Sequence, residues 1–214
     1  MTIKLKICYN KIAMMKKRYK LTTYLAGAME HATKEDMISW REKFKSAFSP
    51  NDILIYDPVE MESLKVDKRI GEQVDYIKGL KRSGHYDKFF EEMWKIWFGE
   101  IDPAMNVIEI LRFLRNRKLV DGNYREEYGA WGDSEAVVRS DFIIVYLPKD
   151  VKTIGTIYEI VFAFLFKIPI YLILPDQTKT EANSSLLFGV MISNGEIFYS
   201  LEECIKFIKE KYKI

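Results

Sequence analysis

The sequence is poor in the residues that build disulfide frameworks and metal sites. It has two cysteines, Cys8 and Cys204, and two histidines among 214 residues. Two cysteines make no disulfide framework, and neither residue type recurs at metal-ligand spacing. Such low cysteine usage is typical of a reducing compartment. We therefore expect a cytoplasmic protein without a metal.

The chain also lacks a long apolar run and an excess of charge of either sign. No run approaches the ~20 apolar residues that span a bilayer, and no secretory signal is visible. The 33 basic and 31 acidic residues give a net charge of +2. This balance argues against nucleic acid and against a membrane as the partner.

Basic residues are concentrated at the start of the chain, where residues 1–20 hold seven Lys or Arg and no acid. Such a run suits a nucleic-acid-binding arm or a short extension before the first core strand. We favour an extension over residues 1–19, followed by a single domain over residues 20–214.

The most informative stretch is residues 133–175. Within it, residues 142–147 and 168–174 are short runs rich in aliphatic side chains and Tyr, each followed by Pro, as in strands buried on both faces of a parallel sheet. Between them, apolar residues recur at three- and four-residue spacing over residues 154–166, which predicts an amphipathic helix. The stretch therefore forms a βαβ unit of an α/β sheet.

Other signals extend this sheet. Starts that resemble capping boxes predict one helix after Thr33 and another after Ser200. Gly27 follows the first apolar run, where a glycine lets the backbone turn tightly and approach a ligand. Further strands are predicted at residues 21–26, 53–56 and 196–199.

Glu159 is the one acidic residue in the otherwise apolar helix predicted over residues 154–166. Gly155 and Ala163 lie one turn away, so there is space beside the carboxylate. The helix starts just past the carboxyl end of a strand, where open α/β sheets bind ligands. The carboxylate either contacts a substrate or complements the helix dipole, a contribution of ~0.3–1 kcal/mol.

Several patches resemble the nucleoside 2-deoxyribosyltransferase family, which includes related 5′-monophosphate N-glycosidases. The patches are Tyr24-Leu25-Ala26-Gly27, Trp40-Arg41, Asp57-Pro58, and Asp133 and Asp141 followed by Gly155-Thr156-Ile157-Tyr158-Glu159. The resemblance covers residues 20–58 and 130–212. It implies an α/β fold with a five-stranded parallel sheet of flavodoxin-like or Rossmann-like order and helices on both faces. Residues 21–26, 142–147 and 168–174 should then be adjacent parallel strands.

The resemblance also implies roles for individual residues. Glu159 is the nucleophile, Tyr24 helps to hold its carboxylate, and Asp133 protonates the departing base, which requires a raised pKa. Asp141 is interpreted as structural. The substrate-binding residues predicted from the family's motifs and the neighbouring sequence are Gly27, Thr153, Gly155, Thr156, Asn183, Ser185 and Trp131.

One departure from the family bears on the substrate. The transferases carry an Asp six residues before the nucleophile, where it binds the sugar 5′-hydroxyl, and this chain has Thr153 there. A carboxylate repels a 5′-phosphate, whereas a hydroxyl beside Lys152 can donate a hydrogen bond to one. Asn183 and Ser185 match the segment with which the family reaches into a neighbouring subunit. The sequence therefore leans towards a 5′-monophosphate substrate and towards a homodimer or larger assembly.

Residues 60–128 lie outside the resemblance and form a predicted helical insertion. Residues 86–98 carry an aromatic stripe at helical spacing, and a second helical pattern covers residues 105–114. We favour packing of these stripes against the sheet or another subunit. The alternative is a lid over a nucleobase pocket, with Tyr128 or Trp131 stacking on the base.

Three functions compete. The first is N-glycosidic transfer or hydrolysis on 2′-deoxynucleosides or their 5′-monophosphates, through a glycosyl–Glu159 intermediate and without a cofactor. The second is a non-catalytic nucleotide-binding module, against which the complete motif around Glu159 argues. The third is nucleic-acid binding by the basic N-terminus, against which the near-neutral net charge argues. We expect an enzyme of the first kind, with a small-molecule substrate and no membrane partner.

Overall fold

Five parallel strands form one sheet in the computed structural model, which describes residues 21–30, 32–118, 131–149, 154–175, 177–178 and 180–214. The strands are β1 (Leu21–Gly27), β2 (Ile53–Tyr56), β3 (Phe142–Tyr146), β4 (Ile170–Ile173) and β5 (Glu196–Phe198). Their order is β2-β1-β3-β4-β5, with all neighbouring pairs parallel. This is the predicted flavodoxin-like order, and the predicted adjacency of β1, β3 and β4 is confirmed.

Helices cover both faces of the sheet. They are α1 (Lys34–Ser46), α2 (Pro58–Lys65), α3 (Glu72–Arg82), α4 (Tyr86–Phe98), α5 (Val107–Lys118), α6 (Asp133–Arg139), α7 (Ile154–Leu165), α8 (Ser184–Ile192) and α9 (Leu201–Tyr212). Apolar residues of α1 and α9 pack on one face, and those of α6, α7 and α8 pack on the other. Each face thus receives its own core, as expected for strands that are apolar on both sides.

The predicted caps set the ends of two helices. The Thr33 hydroxyl accepts a hydrogen bond from the Asp36 amide at the start of α1, and Ser200 does the same for Glu203 at the start of α9. Asp141 ties β1 to β3, since one carboxylate oxygen accepts from both the amide and the hydroxyl of Thr22. Its structural role is as predicted.

The predicted insertion consists, over its described residues, of helices joined by short turns. The helix predicted over residues 86–98 is α4, and the pattern at residues 105–114 belongs to α5, which begins and ends slightly later. Trp94 and Phe98 pack with Ile101, Ile110 and Leu114 in a small core that also contacts α6. The insertion is therefore anchored to the main domain through α6.

Within the described ranges, none of the helices combines the length and the apolarity that a bilayer-crossing segment needs.

Candidate active site

A cavity of about 190 Å³ lies beyond the carboxyl ends of β1 and β3. Its wall comes from the segment that follows β1, from the first turns of α7, from the start of α6, and from α2, α3 and α4 of the insertion. The lining residues include Gly27, Glu62, Asp133, Gly155, Thr156 and Glu159 on the polar side, and Val74, Ile77, Phe89, Met93, Ile96 and Trp97 on the apolar side. Five of the ten predicted site residues thus line one space.

Glu159 and Tyr24 form the centre of the polar side. The Tyr24 hydroxyl donates a hydrogen bond of 2.5 Å to Oε1 of Glu159. Both side chains are buried, with 7% of Glu159 and 0% of Tyr24 exposed. No residue in the described part of the chain donates a hydrogen bond to Oε2 of Glu159. One oxygen is therefore held while the other has no protein partner.

Tyr24 is itself fixed by packing. Its ring stacks on the ring of Tyr56, with centroids 5.4 Å apart. The Tyr56 hydroxyl donates to the Trp131 carbonyl and accepts from Nζ of Lys65, both at 2.9 Å. Burial and the neighbouring carboxylates raise the pKa of Tyr24 well above its usual value, so Tyr24 stays a hydrogen-bond donor.

Asp133 is the first residue of α6 and is 1% exposed. Nζ of Lys65 lies 3.9 Å from its Oδ1. Burial raises the pKa of Asp133 to about 6, and the Lys65 ammonium and the Tyr24 and Tyr56 hydroxyls oppose the rise. The predicted direction of the pKa shift is therefore present.

Glu159 binds its proton more tightly than Asp133. Burial, and then the nearby Asp133 carboxylate, raise the pKa of Glu159 to about 8, against the Tyr24 hydrogen bond and the Arg41 guanidinium. Two carboxyl groups that share a buried site resist double ionisation, because the second charge forms beside the first. The pair therefore holds about one proton between pH 6 and 8.

Arg41 stabilises the turn after β1, next to the cavity. The guanidinium is buried, makes an ion pair of 3.3 Å with Asp57, and donates to the Gly27 carbonyl. Trp40, on the same helix as Arg41, packs closely against Gly27: a Cβ on Gly27 would lie 2.8 Å from the indole ring. The family-like residues Trp40, Arg41 and Asp57 thus fix the turn after β1.

Gly155 and Thr156 open the first turn of α7 towards the cavity. Among the described residues, a Cβ on Gly155 would contact only the Trp97 ring, at 3.9 Å, so there is space for a ligand beside this glycine. Thr156 is buried and lines the same wall.

The aromatic stripe of α4 divides between two sides. Phe89, Met93 and Trp97 face the cavity, and the Trp97 ring also meets the edge of Tyr158 on α7. Phe90 is largely exposed. Part of the stripe packs within the protein, as expected. The part that faces the cavity forms an apolar wall opposite the carboxylates.

Other predicted residues lie away from the cavity. Trp131 is buried in the core, with the Arg139 guanidinium 4.5 Å from its ring centroid, so its ring is already stacked within the protein. Asn183 caps α8 by accepting from the Ser185 amide, and both are exposed. Thr153 lies outside the described residues.

Two residues of the insertion were not predicted to belong to this site. Glu62 lines the cavity beside Asp133 and Glu159, and Lys65, one turn later on α2, faces Asp133. The local sequence offered little signal, because Glu60 and Glu62 look alike and only the fold turns Glu62 inward. In the described part of the chain, no cluster of three or more His, Cys, Asp or Glu is arranged to hold a metal ion.

No protein-family model matches the chain, and no curated protein of known function does. The function must therefore be argued from the site itself.

Proposed function

We propose that the protein cleaves or transfers the N-glycosidic bond of 2′-deoxynucleosides or their 5′-monophosphates, as the nucleoside 2-deoxyribosyltransferase family does. The supporting observation is the buried Glu159, which lines the cavity of about 190 Å³, with Oε1 held by Tyr24 and with no described residue bonded to Oε2. A carboxylate oriented in this way suits attack on a carbon that develops positive charge.

The chemistry proceeds in two steps. Oε2 of Glu159 attacks C1′ as the bond from C1′ to the base nitrogen breaks, and the base takes a proton from a carboxyl group of the site. A water or a second base, losing a proton to that same group, then attacks C1′ and releases Glu159. Water gives hydrolysis, and a base gives transfer.

Tyr24 acts on the geometry of this attack. Because its hydroxyl donates to Oε1, the carboxylate is held in one orientation, and Oε2 is the oxygen left for the attack. The hydrogen bond also favours the charged form of Glu159, which the burial disfavours. Pre-orientation of this kind lowers the entropy cost of the reaction.

The pKa of Glu159 sets the acid limb of the pH profile. The nucleophile must be ionised, and its pKa is about 8. We expect kcat/KM to rise as the pH increases from 6 to 8, because the ionised fraction of Glu159 grows as the pH approaches its pKa of about 8.

The apolar wall of α3 and α4 suits a nucleobase. Phe89 and Trp97 offer aromatic faces, and aromatic–base stacking contributes ~1–3 kcal/mol. We therefore propose that helices of the insertion form a lid over the nucleobase, in addition to packing against the rest of the protein.

One assay separates the alternatives. The protein is incubated with dAMP, dCMP, dGMP and TMP, with the corresponding nucleosides, and with or without an added free base. Release of base without exchange indicates a hydrolase, and an exchanged product indicates a transferase. The absence of any base release from all of these compounds contradicts the proposal.

We also propose a homodimer or larger assembly. The neighbouring helices α7 and α8 expose an apolar face, which consists of Ile154, Ile157, Tyr158, Val161, Leu165, Phe188, Met191 and Ile192. Apolar patches of this kind on a monomer commonly mark an interface. A second copy on this face would bring its exposed Asn183 and Ser185 towards the first copy's surface.

Sedimentation velocity tests the assembly. Val161→Glu is expected to convert a dimer into a monomer, whereas Leu64→Glu, on the exposed side of α2, should leave the dimer intact. A wild-type protein that is monomeric at micromolar concentration contradicts the proposal.

A further inference from the structure

A third carboxylate, Glu62, faces the cavity beside Asp133 and Glu159. Its side chain extends from α2 and is half-buried. None of the described residues makes a hydrogen bond or an ion pair with its carboxyl oxygens, whereas nearby Glu60 is paired with Lys45 at 2.6 Å. Glu62 is therefore placed in the site without a protein partner.

Asp133 is less suited than Glu62 to give up a proton. Lys65 lies 3.9 Å from it, and it occupies the first turn of α6, where the helix dipole favours the anion. These features keep Asp133 the more readily ionised group.

The surroundings of Glu62 favour the opposite state. Its pKa is raised well above the usual range by burial and then by the Asp133 carboxylate, with Glu159 adding to the effect. Lys65 on its own helix and Arg41 on α1 oppose the shift without reversing it. These surroundings favour the protonated form of the Glu62 carboxyl group, which lines the cavity.

We propose that Glu62 is the catalytic acid that protonates the departing base, and that Asp133 is a positioning residue whose charge keeps that proton on Glu62. This assignment rests on the proposed function and changes the role that the family resemblance implies for Asp133. As the bond from C1′ to nitrogen breaks, the base accepts the Glu62 proton and leaves neutral. Glu62, now a carboxylate, recovers a proton from the water or the second base that attacks C1′.

A leaving-group comparison tests the assignment. General acid catalysis contributes ~10²–10⁴-fold where the leaving group needs a proton. Glu62→Gln is therefore expected to lose at least a hundredfold in kcat on thymine or adenine deoxynucleotides. It should lose less than tenfold on the matched 5-nitrouracil compound, whose anion leaves unprotonated. Glu62→Asp should recover part of the loss.

Two matched variants complete the design. Glu60→Gln, on the same helix but outside the cavity, should behave as wild type with both substrates. Asp133→Asn removes the charge that keeps the proton on Glu62, so it should slow the natural substrates more than the 5-nitrouracil compound, but by a smaller factor than Glu62→Gln does. Thermal unfolding of each variant shows whether it is folded. If Glu62→Gln is unfolded, the same leaving-group comparison is made with Glu62→Asp.

Each remaining outcome overturns the assignment. Equal losses of Glu62→Gln on both substrates assign a structural role to Glu62. A leaving-group dependence in Asp133→Asn instead of Glu62→Gln assigns the proton to Asp133. In both cases the proposed function stands, because the wild type is active. A wild type inactive on every compound overturns the proposed function and this inference together.

Discussion

Replacing Glu159 by glutamine should change how the stability of the protein depends on pH. The carboxyl group is 7% exposed and its pKa is raised from 4.5 to about 8. Between these two values the folded chain binds a proton at Glu159 that the unfolded chain has lost. The free energy of unfolding of the wild type therefore falls as the pH rises through this window.

The magnitude follows from the pKa difference. A shift of one pKa unit corresponds to about 1.4 kcal/mol, so the loss of stability accumulates to about 4 kcal/mol by pH 8. Glutamine has the same shape and no proton to lose. Its buried amide adds a constant penalty, but this penalty does not change with pH. Asp133 contributes a similar decline below pH 6 in both proteins, so it cancels in the difference.

Urea unfolding at pH 5, 6, 7 and 8 measures the effect. The stability of Glu159→Gln relative to wild type should increase steadily over this series, by about 3.5 kcal/mol, since a small part of the loss has already occurred at pH 5. Glu60→Gln, which removes a half-buried carboxylate outside the cavity, is the control. A stability difference that changes by less than about 1 kcal/mol from pH 5 to pH 8 would refute the electrostatic account of the site.

Three further predictions concern neighbouring side chains. Tyr24→Phe removes the hydrogen-bond donor to Glu159. Because a hydrogen bond to a charged group contributes about 1.5–3 kcal/mol, kcat should fall by about 10–100-fold. The acid limb of the kcat/KM profile should also move to higher pH, since the hydrogen bond no longer lowers the pKa of Glu159. Asp57→Asn breaks a buried ion pair with Arg41, and urea unfolding should show a loss of about 3–5 kcal/mol. Trp97→Ala removes an aromatic wall of the cavity, and KM should rise about tenfold or more in steady-state kinetics.

Matched controls separate these effects from general damage. Phe90→Ala, on the exposed side of α4, should leave KM unchanged where Trp97→Ala raises it. An unchanged acid limb in Tyr24→Phe would contradict the role of its hydroxyl. A loss below about 1 kcal/mol in Asp57→Asn would show that the pair is not a structural support.

The sequence was sufficient for the central strands because β3 and β4 are apolar on both faces. Residues 142–147 and 168–174 predicted buried strands, and the structure pairs Phe142–Tyr146 with Ile170–Ile173. Strand ends were less predictable, since Ile168 is buried in the core without being part of β4. Apolarity alone does not distinguish the two situations.

The site was predictable where a motif places several residues on one element, as with Gly155, Thr156 and Glu159. It was not predictable where tertiary packing decides which face turns inward. Glu62 enters the cavity because α2 packs against β1, α3 and α4, and no local pattern encodes those contacts. Trp131 failed as a candidate for base stacking because Arg139, eight residues later, already covers its ring.

Trapping the covalent intermediate tests the central claim, that Glu159 attacks C1′. A 2′-fluorinated substrate analogue, on which breakdown of the intermediate is slowed, is incubated with the protein, and the digested peptides are analysed by mass spectrometry. The account predicts a fluorinated sugar on the peptide that contains Glu159, and no such adduct in Glu159→Gln. An adduct on another residue, or turnover of Glu159→Ala within tenfold of wild type, would contradict it.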